Sequence, residues 1–131
     1  MLAKKVLLVD DDPDIRDVVT LILESQGYEI TIARDGIECL SKLRNEKPDL
    51  MILDLLMPKM DGFAVYKELQ NSKWAKYKDM PILVLTSVRE EASRRRYELE
   101  TEQKLSVAYY IEKPVSPELL IDTVEKLIKN K

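Results

Sequence analysis

The sequence predicts an α/β fold, a doubly wound parallel sheet built from five βα units. Three observations carry this reading. The apolar runs Val6-Leu7-Leu8-Val9, Leu50 to Leu53 and Ile82 to Leu85 are continuous rather than alternating, as expected of strands covered on both faces. Each is followed by apolar residues at helical spacing. Strands alternating with helices place helices on both faces of a parallel sheet, joined by right-handed crossovers.

The elements follow in order. Val6 to Val9 is the first strand and ends at acids. Asp12 is placed to cap a helix that opens on Pro13, carries Ile15, Val18, Val19, Ile22 and Leu23 on one side, and stops at Gln26-Gly27. Tyr28 to Ala33 alternates and is β-branched, a second strand. Asp35-Gly36 turns into a helix bearing Cys39, Leu40 and Leu43, and Pro48 resets the chain. Leu50 to Leu53 is the third strand, ending at Asp54. Residues 58 to 62 form a loop. Phe63, Val65, Tyr66 and Leu69 mark the third helix. Residues 71 to 79 read as a polar connection holding Trp74 and Tyr77. Ile82 to Leu85 is the fourth strand, ending at Thr86-Ser87, and a charged helix fills about residues 89 to 104. Val107 to Ile111 is the fifth strand, ending at Lys113-Pro114. Ser116-Pro117-Glu118 opens a last helix with Leu119, Leu120, Val124, Leu127 and Ile128 on its apolar side.

Length and composition suit one soluble domain over residues 1 to 131, with 45% hydrophobic and 34% charged residues. A net charge of −3 gives no support to direct nucleic-acid binding, which needs a basic excess. Residues 89 to 104 include Arg94-Arg95-Arg96 but hold as many acids as bases, so they read as a solvated helix face. Nothing approaches the roughly 20 apolar residues of a membrane span, and Met1 to Lys5 do not resemble a signal peptide. The expectation is a cytoplasmic protein. The single cysteine, Cys39, suits a reducing compartment and reads as a packing residue. The absence of histidine removes Ser-His-Asp and Cys-His nucleophiles, histidine-bound zinc and imidazole bases together.

In open α/β sheets ligands bind beyond the carboxyl ends of the strands. Those ends carry Asp10, Asp11 and Asp12 on the first strand, Asp54 on the third, Thr86 on the fourth and Lys113 on the fifth. Clustered carboxylates repel, and a hard divalent cation such as Mg²⁺ relieves them with oxygen ligands. A carboxylate can act as a nucleophile toward phosphorus, and the transferred phosphoryl needs a cation and hydrogen-bond donors around its oxygens. The set is complete for phosphoryl transfer to a carboxylate.

The stretches Val6 to Pro13, Ile52 to Gly62, Leu85-Thr86-Ser87 and Tyr110 to Pro114 resemble the receiver domains of two-component response regulators. The resemblance covers essentially the whole chain. It implies a flavodoxin-like strand order, 2-1-3-4-5, and a phosphorylation-dependent signalling switch that catalyses only its own phosphorylation and dephosphorylation. Asp54 would be the phosphoacceptor. Asp11 would ligate Mg²⁺ directly, Asp10 mainly through water, and the Leu56 carbonyl would complete the protein's ligands with Asp54. Thr86 and Lys113 would hold phosphoryl oxygens. Tyr110 would move with Thr86, and Lys113-Pro114 would be cis. The implied partners are a histidine kinase or histidine phosphotransfer protein and a downstream effector protein, with no membrane insertion.

Two features depart from that pattern. The segment from Thr86 to Lys113 is longer than the resemblance implies, with Glu102 to Ser106 replacing a Gly-Ala turn before the fifth strand. The chain also ends soon after its last helix, as in a single-domain regulator or a fragment. Two other readings of the same residues exist. Leu8 to Asp14 approaches the Asp-x-Asp-x-Thr/Val motif of haloacid dehalogenase phosphohydrolases, with Asp14 in place of Thr or Val. A receiver that binds partners without phosphate is the other. Asp10, Asp12 and Asp14 begin a calcium-loop pattern, but Ile15 and Leu21 stand where it needs Gly and Glu.

Overall fold

A computed structural model describes residues 2–129. Five strands, β1 Lys5–Val9, β2 Glu29–Ala33, β3 Leu50–Asp54, β4 Ile82–Thr86 and β5 Tyr109–Glu112, form one parallel sheet in the order β2-β1-β3-β4-β5. Between and after them run α1 Pro13–Glu24, α2 Gly36–Glu46, α3 Gly62–Leu69, α4 Val88–Thr101 and α5 Pro117–Lys129. Register aligns Val9 with Leu53, Asp54 with Leu85 and Thr86 with Glu112, so the carboxyl ends of the central strands lie level. The chain leaves β1 toward β2 and leaves β3 toward β4 on the other side. The gap between those departures is the switch point where such sheets bind ligands.

Every residue of β3 is buried. On one face Val6, Leu8, Leu50, Ile52, Leu83 and Leu85 pack against Val19 and Leu23 of α1 and Leu120 and Val124 of α5. On the other, Leu7, Val9, Met51 and Leu53 meet Cys39 and Leu43 of α2 and Val65 of α3. Beside them Leu55, Phe63, Val84 and Leu105 form a further cluster flanked by Tyr97 and Tyr110. Side-chain oxygens cap the helices: Asp12, as the sequence predicts, accepts from Asp14 N at 2.9 Å, and Asp35 accepts from Glu38 N at 2.9 Å and Asp61 from Ala64 N at 2.9 Å.

Three local expectations shift. The polar connection is a 3-10 helix over Ser72–Tyr77, and its Trp74 is buried. The indole N–H donates to Glu68 Oε2 at 2.6 Å, and the Arg44 guanidinium lies 5.2 Å over the ring. The Tyr77 hydroxyl donates to the Leu43 carbonyl at 2.5 Å. The fourth helix ends at Thr101 rather than 104, because Glu102 turns left-handed at φ 56°. The chain then drops Leu105 into the core, its N–H donating to Glu98 Oε2 at 3.0 Å. Strand β5 starts at Tyr109 rather than Val107. Of the three arginines, Arg95 and Arg96 are exposed, but Arg94 binds Glu91 at 2.7 Å and Glu98 at 3.2 Å and lies 5.0 Å over the Tyr110 ring. Among the described residues no helix is long and apolar enough to cross a membrane.

Candidate functional site

The strand ends bring Asp10, Asp54 and Lys113 together. Lys113 Nζ lies 3.3 Å from Asp54 Oδ1 and 3.4 Å from Asp10 Oδ2. Asp10 and Asp54 are buried, and Asp11 is exposed beside them. The acidic turn after β1 is tied down at several points. Asp12 N donates to Asp10 Oδ1 at 2.9 Å, and Arg16 Nη1 donates to the carbonyls of Asp10 and Asp11 at 3.1 and 3.0 Å.

The loop after β3 folds back onto the strand end. Gly62 N donates to the Leu55 carbonyl at 2.9 Å. A Cβ on Gly62 would collide with the Asp54 carbonyl oxygen and stand 2.9 Å from Leu55 Cα, so only glycine permits this approach. Lys113 N donates to the Thr86 carbonyl at 2.7 Å, which fixes the lysine at the end of the sheet, and Lys113-Pro114 is cis. Thr86 is buried, with its hydroxyl donating to the Ser87 carbonyl at 3.2 Å. Val84 pairs with Tyr110, so Thr86, two residues on, shares that face of the sheet with the tyrosine. The Tyr110 hydroxyl donates to the Leu105 carbonyl at 2.9 Å.

The electrostatics follow from this crowding. Burial raises the Asp54 carboxyl to about 9, helped by a hydrogen bond with the Glu90 carboxyl and the nearby negative charge of Asp10 and Glu90; Lys113 opposes the rise. Burial raises Asp10 as well. Burial works against the Lys113 ammonium, yet Asp54, Asp10 and Glu90 together raise its pKa.

Glu90 is the residue that the sequence reading missed. It sits in the first turn of α4, buried, with Oε1 3.2 Å from Lys113 Nζ and 3.1 Å from Ser87 Oγ. Its Oε2 accepts from the backbone N–H of Leu55 at 3.1 Å and of Leu56 at 3.4 Å. A signal was there: Ser87-Val88-Arg89-Glu90 is a capping-box spacing directly after a strand end that carries chemistry. Reading the helix as a solvated charged face hid it.

Asp10, Asp11 and Asp54 each offer a carboxylate oxygen, all within 4.8 Å of one another. Asp10 Oδ2 is buried without a hydrogen-bond donor, and its ionic contact is with Lys113. An all-oxygen set with such an orphan fits a hard cation of the Mg²⁺ kind.

The family model described as the response regulator receiver domain matches residues 6–125. The chain therefore belongs to the response regulator receiver domains of two-component systems. Such domains are signalling switches rather than ordinary enzymes, typically bind Mg²⁺, and interact with histidine kinases and effector domains. Among its relatives is the alkaline phosphatase synthesis transcriptional regulatory protein PhoP of Bacillus subtilis, 36% identical over 126 residues that make up 96% of this chain and 49% of PhoP. The response regulator MprA of Mycobacterium sp. (strain KMS) is 34% identical over 95% of this chain and 50% of its own length. The chain thus spans about half the length of these relatives. The high-resolution structure of the chemotaxis response regulator CheY4 of Vibrio cholerae superposes with a TM-score of 0.79 at 32% identity, covering 96% of this chain and 99% of that one.

Proposed function

We propose that Asp54 accepts a phosphoryl group from a histidine kinase or histidine phosphotransfer protein, and that the altered surface is read by a downstream effector protein. The observation that supports this most is one ammonium, Lys113, between 3.2 and 3.4 Å from carboxylates just after β1, at the end of β3 and on α4 at the switch point. An Asp54 carboxylate oxygen attacks phosphorus, and the bond to the donor's nitrogen breaks as the new P–O bond forms. Lys113 follows the transferred charge as an ion pair, and Thr86 donates its hydroxyl to a phosphoryl oxygen. Mg²⁺, held by Asp11, Asp54 and the Leu56 carbonyl with Asp10 acting through water, would neutralise the carboxylates and share the phosphoryl charge.

Drawing Thr86 toward the phosphoryl vacates space on the sheet face that it shares with Tyr110, and Tyr110 follows. That pair is a two-position element biased by the ligand. On this reading residues 1–131 work as one receiver domain in the cytoplasm, without direct contact with nucleic acid.

Intact mass after incubation with acetyl phosphate and Mg²⁺ tests the reading. A single phosphoryl addition is expected, abolished by Asp54→Asn and suppressed by EDTA. Full labelling of the Asn variant would remove Asp54 from its role, and turnover of p-nitrophenyl phosphate would point to a phosphohydrolase instead.

A further inference from the structure

We propose that the Glu90 carboxylate is an internal stand-in for the phosphoryl group, holding the donors that the phosphoryl needs, so that phosphorylation must expel Glu90 and release the first turn of α4. The inference rests on the reading of Asp54 as the acceptor. It stands on which atoms Glu90 touches. Its two oxygens accept from Lys113 Nζ at 3.2 Å and from the N–H groups of Leu55 and Leu56 at 3.1 and 3.4 Å. These are the cation and backbone donors adjacent to the Asp54 side chain, and an anionic group built on Asp54 has to use them. A phosphoryl and a carboxylate cannot accept the same N–H protons at full strength. Glu90 is only 5% exposed, so the seat is built into the core edge rather than reached from solvent by chance.

The same carboxylate is tied to the start of α4. Ser87 Oγ donates to Glu90 Oε1 at 3.1 Å and accepts from Glu90 N at 3.3 Å. A capping glutamate normally reaches back to its own helix end. Glu90 reaches across to the residues after β3 and to Lys113 just after β5, and so joins the helix to the site. Expelling it breaks that link at the helix end. Glu90 is thereby a positioning residue: it sets how readily the site accepts a phosphoryl group and which part of the surface changes when it does.

Beryllium fluoride with Mg²⁺, a phosphoryl mimic, tests this on the whole protein. In wild type the ¹³C resonance of the Glu90 carboxyl should move as the adduct forms, together with the Leu55 and Leu56 amides. Glu90→Ala and Glu90→Asp should both take the mimic roughly tenfold more tightly, the worth of one competing charge-assisted hydrogen bond. The Asp variant keeps the charge but withdraws the oxygens by one methylene. If it matches wild type while Ala gains, local charge explains the effect and the seat does not. An adduct that leaves the Glu90 carboxyl resonance in place overturns the inference while Asp54 keeps its role. No adduct on wild type or on any variant overturns both.

Discussion

Lys113 and Asp54, 59 residues apart in the sequence, meet at 3.3 Å across the end of the sheet. The ammonium does not cancel the burden on the acid, since burial and the neighbouring carboxylates still raise Asp54 to about 9. An acid whose pKa is raised on folding stabilises the fold below its unfolded pKa, and that contribution is lost as pH rises through the folded value. In EDTA, stability to urea should therefore fall by roughly 2 kcal/mol or more between pH 5 and pH 9. Glu90, whose pKa is lowered on folding by its bonds to Asp54, Lys113 and Leu55 N against the opposing effect of burial, acts oppositely and only in stronger acid. Asp54→Asn should flatten the slope and raise stability at pH 8. A wild-type profile level across this range would contradict the assignment.

Asp10 and Asp11 should differ in their hold on Mg²⁺. Asp11 is exposed and free to ligate directly, whereas Asp10 is buried with one oxygen occupied by Asp12 N at 2.9 Å. Calorimetric titration should show a larger loss for Asp11→Ala than for Asp10→Ala, since a water-mediated contact is worth less than a direct one. Equal losses would mean that the two roles are misassigned.

Phosphorylated Asp54 should be long-lived. On the proposed mechanism hydrolysis needs a water in line with the acyl phosphate, and Leu56 and Val88, two residues beyond Asp54 and Thr86, would flank that approach. Val88 is 79% exposed at the start of α4 and, like Leu56, offers no group to orient a water. Leu56→Asn combined with Val88→Glu should shorten the lifetime after donor removal. Decay unchanged in the double variant would place control of the rate elsewhere.

Trp74 should be a stability residue with no part in phosphorylation. It is 3% exposed and packs with Met51, Leu53 and Met80 on the α2 side of the sheet. Trp74→Ala should cost about 3 kcal/mol in urea unfolding. Labelling by acetyl phosphate at a temperature where the variant is folded should be unchanged.

The strands, the strand-end residues and the cap at Asp12 were legible because each depends on local signals: continuous apolar runs, an acid or lysine directly after them, and Asp at a helix start. The strand order came instead from the resemblance to receiver domains. Trp74 was not legible as core. The segment around it, Asn71-Ser72-Lys73 before and Ala75-Lys76 after, is mostly polar, and its burial depends on Glu68 and Arg44 meeting it from two different helices. Glu90 was hidden for a related reason. Helical periodicity does not separate a charge facing water from one facing a strand end, because the distinction lies in where α4 starts relative to β3. The end of α4 was misplaced by three residues because glutamate is a weak signal for a left-handed cap, a position where glycine is the usual mark.

The long segment after α4 leaves the helix at Glu102, buries Leu105 and receives a second anchor where Ser106 N donates to the Tyr66 hydroxyl at 3.1 Å. This happens at the amino ends of the strands, the edge opposite Asp54. From Glu90 to the helix end at Thr101 the chain rises about 1.5 Å per residue, which carries it about 17 Å away from Glu90 before the turn. Helix α4 is in effect a lever with its short end at the carboxylates and its long end at the added residues. A fluorophore on exposed Gln103 would report movement of that lever from outside the reaction, adding no group to the edge where the phosphoryl would arrive.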